Sequence, residues 1–195
     1  MHSKALSRIA ASLAIAEVLV VIVSWLLSAT MTEGVHSLLS PEGVRWFFSN
    51  FTSILLTPLL SWLLLAAMAW GVLRASGIVA TPATSSSRRR LSLRISILVL
   101  VTYLSLIVLL VAVPHAMLLS ATGQLWPSPF SASIVPLLAF GVVLVSAAYG
   151  LSARTLRSFS DICQALICGL AAAAPLLFIY ILAAQLFESF LYVFY

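Results

Sequence analysis

Five long, predominantly apolar stretches dominate this sequence and limit what the chain can fold into. A helix needs roughly 20 mostly apolar residues to cross about 30 Å of hydrocarbon, and each stretch meets that length. None alternates apolar and polar residues as a membrane-barrel strand does, and each is longer than such a strand. We therefore predict an all-α integral membrane protein with a single membrane domain and about five transmembrane helices. The predicted spans are residues 9–28, 53–73, 95–118, 133–151 and 162–187.

The scarcity of charged residues excludes several classes of protein. Only 8% of the 195 residues are charged, whereas an ordinary soluble domain carries about 25%. This excludes a soluble enzyme, a solvated binding module and a disordered tail. The formal net charge is +5, but in so apolar a chain basic residues usually report membrane orientation rather than a phosphate-binding face. We therefore predict the lipid bilayer as a partner, and no nucleic acid.

The first apolar stretch has two interpretations, a retained helix and a cleaved signal peptide. Lys4 and Arg8 fit the basic segment of a signal peptide. The apolar stretch of about 20 residues, however, exceeds the about 7–15 residues that are usual in a signal peptide. A retained transmembrane helix is therefore favoured.

Basic residues are distributed very unevenly among the predicted loops. If the N-terminus is cytoplasmic, only Arg45 of the 10 Lys and Arg residues lies on the outer side. Because basic residues accumulate on the cytoplasmic side of membrane proteins, we predict a cytoplasmic N-terminus and an external C-terminus. The inner residues are Lys4, Arg8, Arg74, Arg88, Arg89, Arg90, Arg94, Arg154 and Arg157.

Residues 78–94 form the most basic inner segment and include the run TPATSSSRRR at 81–90. This Ser-, Pro- and Arg-rich composition predicts a flexible cytoplasmic linker. Its arginines are interpreted as topology anchors near anionic lipid, with a specific partner site as the less favoured alternative. The candidate anchors are Arg88, Arg89, Arg90 and Arg94.

The first outer loop carries the signals of a short helix. Ser40, Pro41 and Glu42 are typical of a helix N-cap, first position and first turn. Apolar residues then recur at helical spacing. This pattern predicts an amphipathic helix over about residues 41–51 that lies in the outer interface of the membrane. The apolar residues concerned are Val44, Phe47, Phe48 and Phe51.

Polar residues inside the predicted spans are the candidates for function. Glu17 lies near mid-depth of the first span, where an ionisable side chain is costly and is a functional candidate by default. Its candidate roles are binding of a proton or a cation and pairing with a polar group on a neighbouring helix; the favoured alternative is a protonated, hydrogen-bonded carboxyl that serves packing alone. Gln185 lies near the outer end of the last span, with Glu188 one turn later and His115 at a similar depth on the third span. These three residues are candidates for a polar cluster, although interfacial positions explain Glu188 and His115 equally well.

No motif brings catalytic residues together. The three histidines, His2, His36 and His115, lie in different segments and show no metal-ligand spacing. The sequence contains no glycine-rich phosphate loop and no nucleophile-elbow motif. We therefore predict that the protein is not an enzyme and has no metal site and no cofactor.

Two blocks of sequence follow the motif order of a known family. Residues 38–77 carry Ser-Pro-Glu-Gly before an apolar helix that closes with Ser76-Gly77. Residues 88–187 carry, in order, Ser-Pro-Phe at 128–130, Ser-Ile-Val-Pro at 133–136, Tyr149-Gly150 and Ala-Ala-Gln at 183–185. Each piece is weak alone, but their colinear order resembles the p-aminobenzoyl-glutamate transporter (AbgT) family.

The resemblance implies secondary transport of a small organic anion by a homo-oligomer in a bacterial cytoplasmic (inner) membrane. It also implies a shortened member, because the re-entrant hairpins that hold substrate and ion in this family have no counterpart here. The resemblance therefore assigns no substrate or ion residue. Two alternatives are a non-transporting scaffold or accessory subunit bound to another membrane protein, and an unrelated five-span protein.

Overall fold

The computed structural model describes residues 2–30, 34–79, 86–112 and 129–194, and within these ranges all regular secondary structure is helical, without strands. Five of the helices are long and apolar enough to cross a membrane, which confirms the predicted fold class. The helices are α1 (His2–Ala29), α2 (Pro41–Leu55), α3 (Pro58–Ser76), α4 (Ser86–Ala112), α5 (Pro129–Ala153) and α6 (Phe159–Phe194). His115, a candidate from the sequence, lies outside the described residues.

The short helix α2 begins as its sequence signals predict. Ser40 is the N-cap, and its side-chain oxygen accepts a hydrogen bond from the Gly43 backbone N–H at 3.0 Å. Pro41 occupies the first turn, where its missing N–H removes no intrahelical bond. Phe48 and Val44 on the apolar face are 75% and 42% exposed, so this face is free to contact lipid.

The second span begins later than the sequence pattern predicted. The stretch from residue 53 is uncharged throughout, but α2 extends to Leu55, and α3 begins only at Pro58. Proline disfavours helical geometry in the residue before it and cannot donate a backbone hydrogen bond, so Leu56 and Thr57 separate the two helices. The Thr57 hydroxyl forms a hydrogen bond with the Tyr180 hydroxyl of α6.

The basic segment differs from the predicted linker over its second half. Helix α4 begins at Ser86, so Arg88, Arg89, Arg90 and Arg94 lie on helix rather than on a flexible segment. Arginine and leucine are good helix formers, and Ser92 and Ser96 donate to the carbonyl oxygens one turn earlier, at 3.1 and 2.9 Å.

The chain divides into two compact units, with the boundaries inside α3 and α6. Unit 1 contains Met1–Ser61 and Ala173–Tyr195, and unit 2 contains Trp62–Ala172. In unit 1, the segment between α1 and α2 is held by two hydrogen bonds. The Leu38 N–H donates to Ser24 Oγ of α1 at 3.2 Å, and the His36 N–H donates to the Val193 carbonyl of α6 at 3.1 Å.

In unit 2, α3 crosses α6 at two glycines. A Cβ atom on Gly71 would lie 2.6 Å from the Gly169 Cα and would also strike the Ala165 carbonyl oxygen. A Cβ on Gly169 would lie 2.7 Å from the Gly71 Cα. The two backbones approach so closely because neither helix has a side chain at the crossing.

Helix α5 ends in a Schellman turn that positions the start of α6. The Thr155 N–H donates to the Gly150 carbonyl at 2.9 Å, and the Arg154 N–H donates to the Leu151 carbonyl at 3.2 Å. Arg154 has a φ of 61° at the position that glycine usually occupies. Left-handed backbone costs about 1 kcal/mol in a residue with a side chain.

Candidate functional site

The candidate site in unit 1 is a chain of three polar side chains from α1 and α6. Ser189 Oγ donates to Glu17 Oε1 at 2.6 Å, and Gln185 Nε2 donates to Ser189 Oγ at 3.3 Å. Gln185 and Ser189 share one face of α6 because they are four residues apart. Glu17 reaches them from the middle of α1. The structure thus brings together Glu17 and Gln185, two residues singled out in the sequence.

Burial of these three hydrogen-bonded polar side chains costs free energy. Ser189 is completely buried and Gln185 is 8% exposed, while Glu17 is half-buried. Glu17 Oε2 and Gln185 Oε1 are both buried and have no hydrogen-bond partner. Since a buried acceptor without a donor costs about 1–3 kcal/mol, each oxygen is a place where a proton, a water molecule or a cation would be stabilised.

The C-terminal end of α6 is fixed close to these residues. Tyr192, one turn beyond Ser189, stacks on Trp46 of α2 with ring centroids 4.3 Å apart and planes inclined by 22°. His36 contacts the same tyrosine ring, with centroids 5.8 Å apart. Together with the backbone bond from His36 to Val193, these contacts hold the last turn of α6 against the segment that precedes α2.

Sequence reasoning missed Ser189 and favoured a different neighbour. The one-turn spacing of Gln185 and Glu188 predicts that they lie together, yet the Glu188 side chain makes no hydrogen bond with any described residue. Ser189 is the residue that joins Gln185 to Glu17. The spacing of four residues between Gln185 and Ser189 in an apolar helix is the signal that could have identified it.

The side chains of the site suit a single small ligand, a proton or a water molecule. One carboxyl, one amide and one hydroxyl provide oxygen atoms, with two of those atoms free to accept. No group of three or more His, Cys, Asp or Glu residues able to hold a metal ion occurs in the part of the chain that the structure describes. The arrangement can therefore hold a proton on the free oxygen of Glu17, or orient a water molecule.

The four predicted anchors lie on the first turns of α4, in unit 2. Arg88, Arg89, Arg90 and Arg94 are all exposed. None forms an ion pair with a residue in the described ranges. Their role as topology anchors stays a prediction.

Comparison with known proteins assigns the family. The model of the AbgT putative transporter family matches residues 79–193, which is more than half of the chain. The match includes Gln185 and Ser189, whereas Glu17 lies before it. No curated protein and no solved structure matches the chain significantly. With its five span-length helices, this transporter-like membrane protein belongs to the AbgT putative transporter family.

Proposed function

We propose that the protein is a secondary transporter of a small organic anion, in which Glu17 takes up and releases the coupling proton. The family match supports transport. The hydrogen bonds that link Glu17, Ser189 and Gln185 support the role of Glu17. Membrane-embedded carboxyls with buried polar partners are typical of proton relays in transporters. The proposal includes an inner-membrane location with a cytoplasmic N-terminus, and assembly as a homo-oligomer.

The number of free oxygens favours a proton over a metal cation. Protonation turns Glu17 Oε2 from an acceptor without a partner into a donor. One proton therefore removes the unsatisfied acceptor of Glu17. A cation shell takes about six or more oxygens in the well-characterised calcium and magnesium sites, and the described side chains of this cluster offer far fewer.

Proton release from Glu17 supplies the coupling. The carboxylate that remains is charged and half-buried, with only the Ser189 hydroxyl donating to it. A buried charge with so little solvation favours any conformation that brings it to water or to a cationic group. The protonated and ionised forms of Glu17 thus stabilise different conformations of unit 1.

Uptake by proteoliposomes tests this proposal. We expect the purified chain to accumulate p-aminobenzoyl-glutamate, the probe implied by the family resemblance, when a pH gradient is imposed. Glu17→Gln should abolish the dependence on the gradient while leaving substrate binding intact. Glu188→Gln is the matched control, because that carboxyl is on α6 but outside the cluster. Equal gradient dependence in wild type and Glu17→Gln, or loss in both variants, would contradict the role of Glu17.

An accessory subunit is the second candidate function, favoured by a different observation. No lysine or arginine is buried among the residues described in the structure. The helix interior within each unit therefore offers no cationic partner for an organic anion. Native mass spectrometry of complexes from mild detergent distinguishes the two functions. A homo-oligomer supports transport by this chain, whereas a stoichiometric second protein supports an accessory role.

A further inference from the structure

Three arginines from separate segments of unit 2 line one open depression. Arg88 comes from the first turn of α4, Arg154 from the end of α5 and Arg157 from the turn before α6. Leu151, Ala153 and Leu156 complete the lining, and the last two are only 4% exposed. The depression thus combines a cationic rim with an apolar floor.

The charges of these arginines are not neutralised by neighbouring residues. None of the three side chains forms an ion pair or hydrogen bond with any residue in the described ranges. The nearest acidic residue in sequence, Asp161, uses Oδ2 to accept from the Arg157 N–H at 2.7 Å and the Ser158 N–H at 3.2 Å. Its carboxylate therefore caps α6, and the N-terminus of α4 adds further positive potential beside Arg88.

The backbone of Arg154 is strained in a way that folding does not require. Arg154 is the left-handed residue of the Schellman turn, with φ at 61°. Glycine would make the same turn without strain. Since backbone strain accumulates where function requires it, a cationic side chain at this position has a value separate from the fold.

An apolar groove in the same unit offers space for a hydrocarbon chain. The groove has a volume of about 380 Å³ and is lined by apolar residues of α4 and α5, including Leu100, Leu104, Leu138 and Val142. Ala153 in the depression lies eleven residues after Val142, which places both residues on one face of α5. Cationic rim and apolar groove therefore occur in one helix pair.

We propose that the depression binds the phosphate headgroup of an anionic phospholipid, with an acyl chain in the groove between α4 and α5. Arginine guanidinium groups bind phosphate through paired hydrogen bonds, and basic pockets at the cytoplasmic ends of membrane helices suit anionic headgroups. All three arginines lie on the side that the charge distribution predicts to be cytoplasmic. The proposal is independent of the transport function.

Lipid binding to the purified full chain in detergent tests the proposal by native mass spectrometry. We expect phosphatidylglycerol to bind at least tenfold more tightly than phosphatidylcholine. The double substitution Arg154→Gly with Arg157→Gln should weaken phosphatidylglycerol binding at least tenfold. The matched control, Arg89→Gln with Arg90→Gln, removes the same charge outside the depression and should change binding less than about twofold.

Each alternative outcome overturns the proposal. Equal weakening in the two double variants would show a diffuse charge effect, and equal binding of the two lipids would exclude headgroup selection. Displacement of the lipid by an equal concentration of inorganic phosphate would identify a site for free phosphate instead. If the double variant does not fold, the single Arg154→Gly variant decides, because it relieves backbone strain and is expected to fold at least as well as wild type.

Discussion

Helix α6 makes two contacts of opposite chemistry along its length. In unit 1 its last part meets α1 through Gln185, Ser189 and Glu17. In unit 2 its first part meets α3 through the backbones at Gly169 and Gly71. Hydrocarbon outside a membrane helix provides no hydrophobic force between helices, so both contacts depend on close packing or hydrogen bonding.

The difference separates structural from functional packing. At the glycine crossing, the two helix backbones pack directly against each other. No polar side chain takes part, so the contact leaves no side-chain donor or acceptor without a partner. At the polar contact, two buried oxygens remain without donors. A contact selected for stability alone would fill or remove such atoms, since replacing a polar network by apolar side chains is often stabilising. The polar contact is therefore the better candidate for a functional site.

The largest predicted effect is at the glycine crossing. Gly169→Val should destabilise the protein by about 3 kcal/mol, because the new side chain meets backbone atoms that cannot rotate away. Thermal unfolding of the detergent-purified protein measures the loss. Ala171→Val, at an exposed position on the same helix, is the control and should change stability by less than about 0.5 kcal/mol. Wild-type stability of Gly169→Val would show that the crossing is looser than described.

A smaller effect is expected at the polar contact. Ser189→Ala removes the donor to Glu17 Oε1 and the acceptor of Gln185 Nε2, so it should destabilise by about 2 kcal/mol. The same unfolding measurement applies. Ser12→Ala is the matched control, because Ser12 Oγ donates to the Ile9 carbonyl within exposed α1. A loss no greater than that of the control would mean that the polar contact contributes nothing to holding α1 and α6 together.

The sequence predicts the helical membrane fold well because hydropathy over a whole span is a strong signal. It also predicts the start of α2, where Ser40, Pro41 and Glu42 act through local chemistry. It fails where a local signal competes with hydropathy. The absence of charge from residue 53 onward concealed the helix break before Pro58, and the basic composition of 86–94 concealed the first turns of α4.

Two of the three residues of the polar contact were accessible from the sequence. Glu17 is prominent because a charge inside a span is rare, and Gln185 because amides are uncommon there. Ser189 is not prominent, since serines in helices commonly bond their own backbone, as Ser24 does with the Val21 carbonyl. Its partner Glu17 is 172 residues away in sequence, and such a pairing is set by tertiary packing. The Gly71 crossing was likewise missed, although Ala67 and Gly71 show the small-residue spacing of four.

The smallest predicted effect tests whether unit 2, like unit 1, contains a residue that lowers the stability of the fold. Arg154→Gly should stabilise the protein by about 1 kcal/mol, because glycine adopts the left-handed conformation without strain and the Schellman hydrogen bonds are made by backbone atoms. Arg157→Gln removes an equal charge without changing a strained position and should leave stability within about 0.5 kcal/mol. A loss of stability in Arg154→Gly would show that the arginine side chain supports the turn. A gain, by contrast, would show that Arg154 lowers the stability of unit 2, as the unpartnered oxygens of Glu17 and Gln185 do in unit 1, and would be consistent with retention of this arginine for lipid binding.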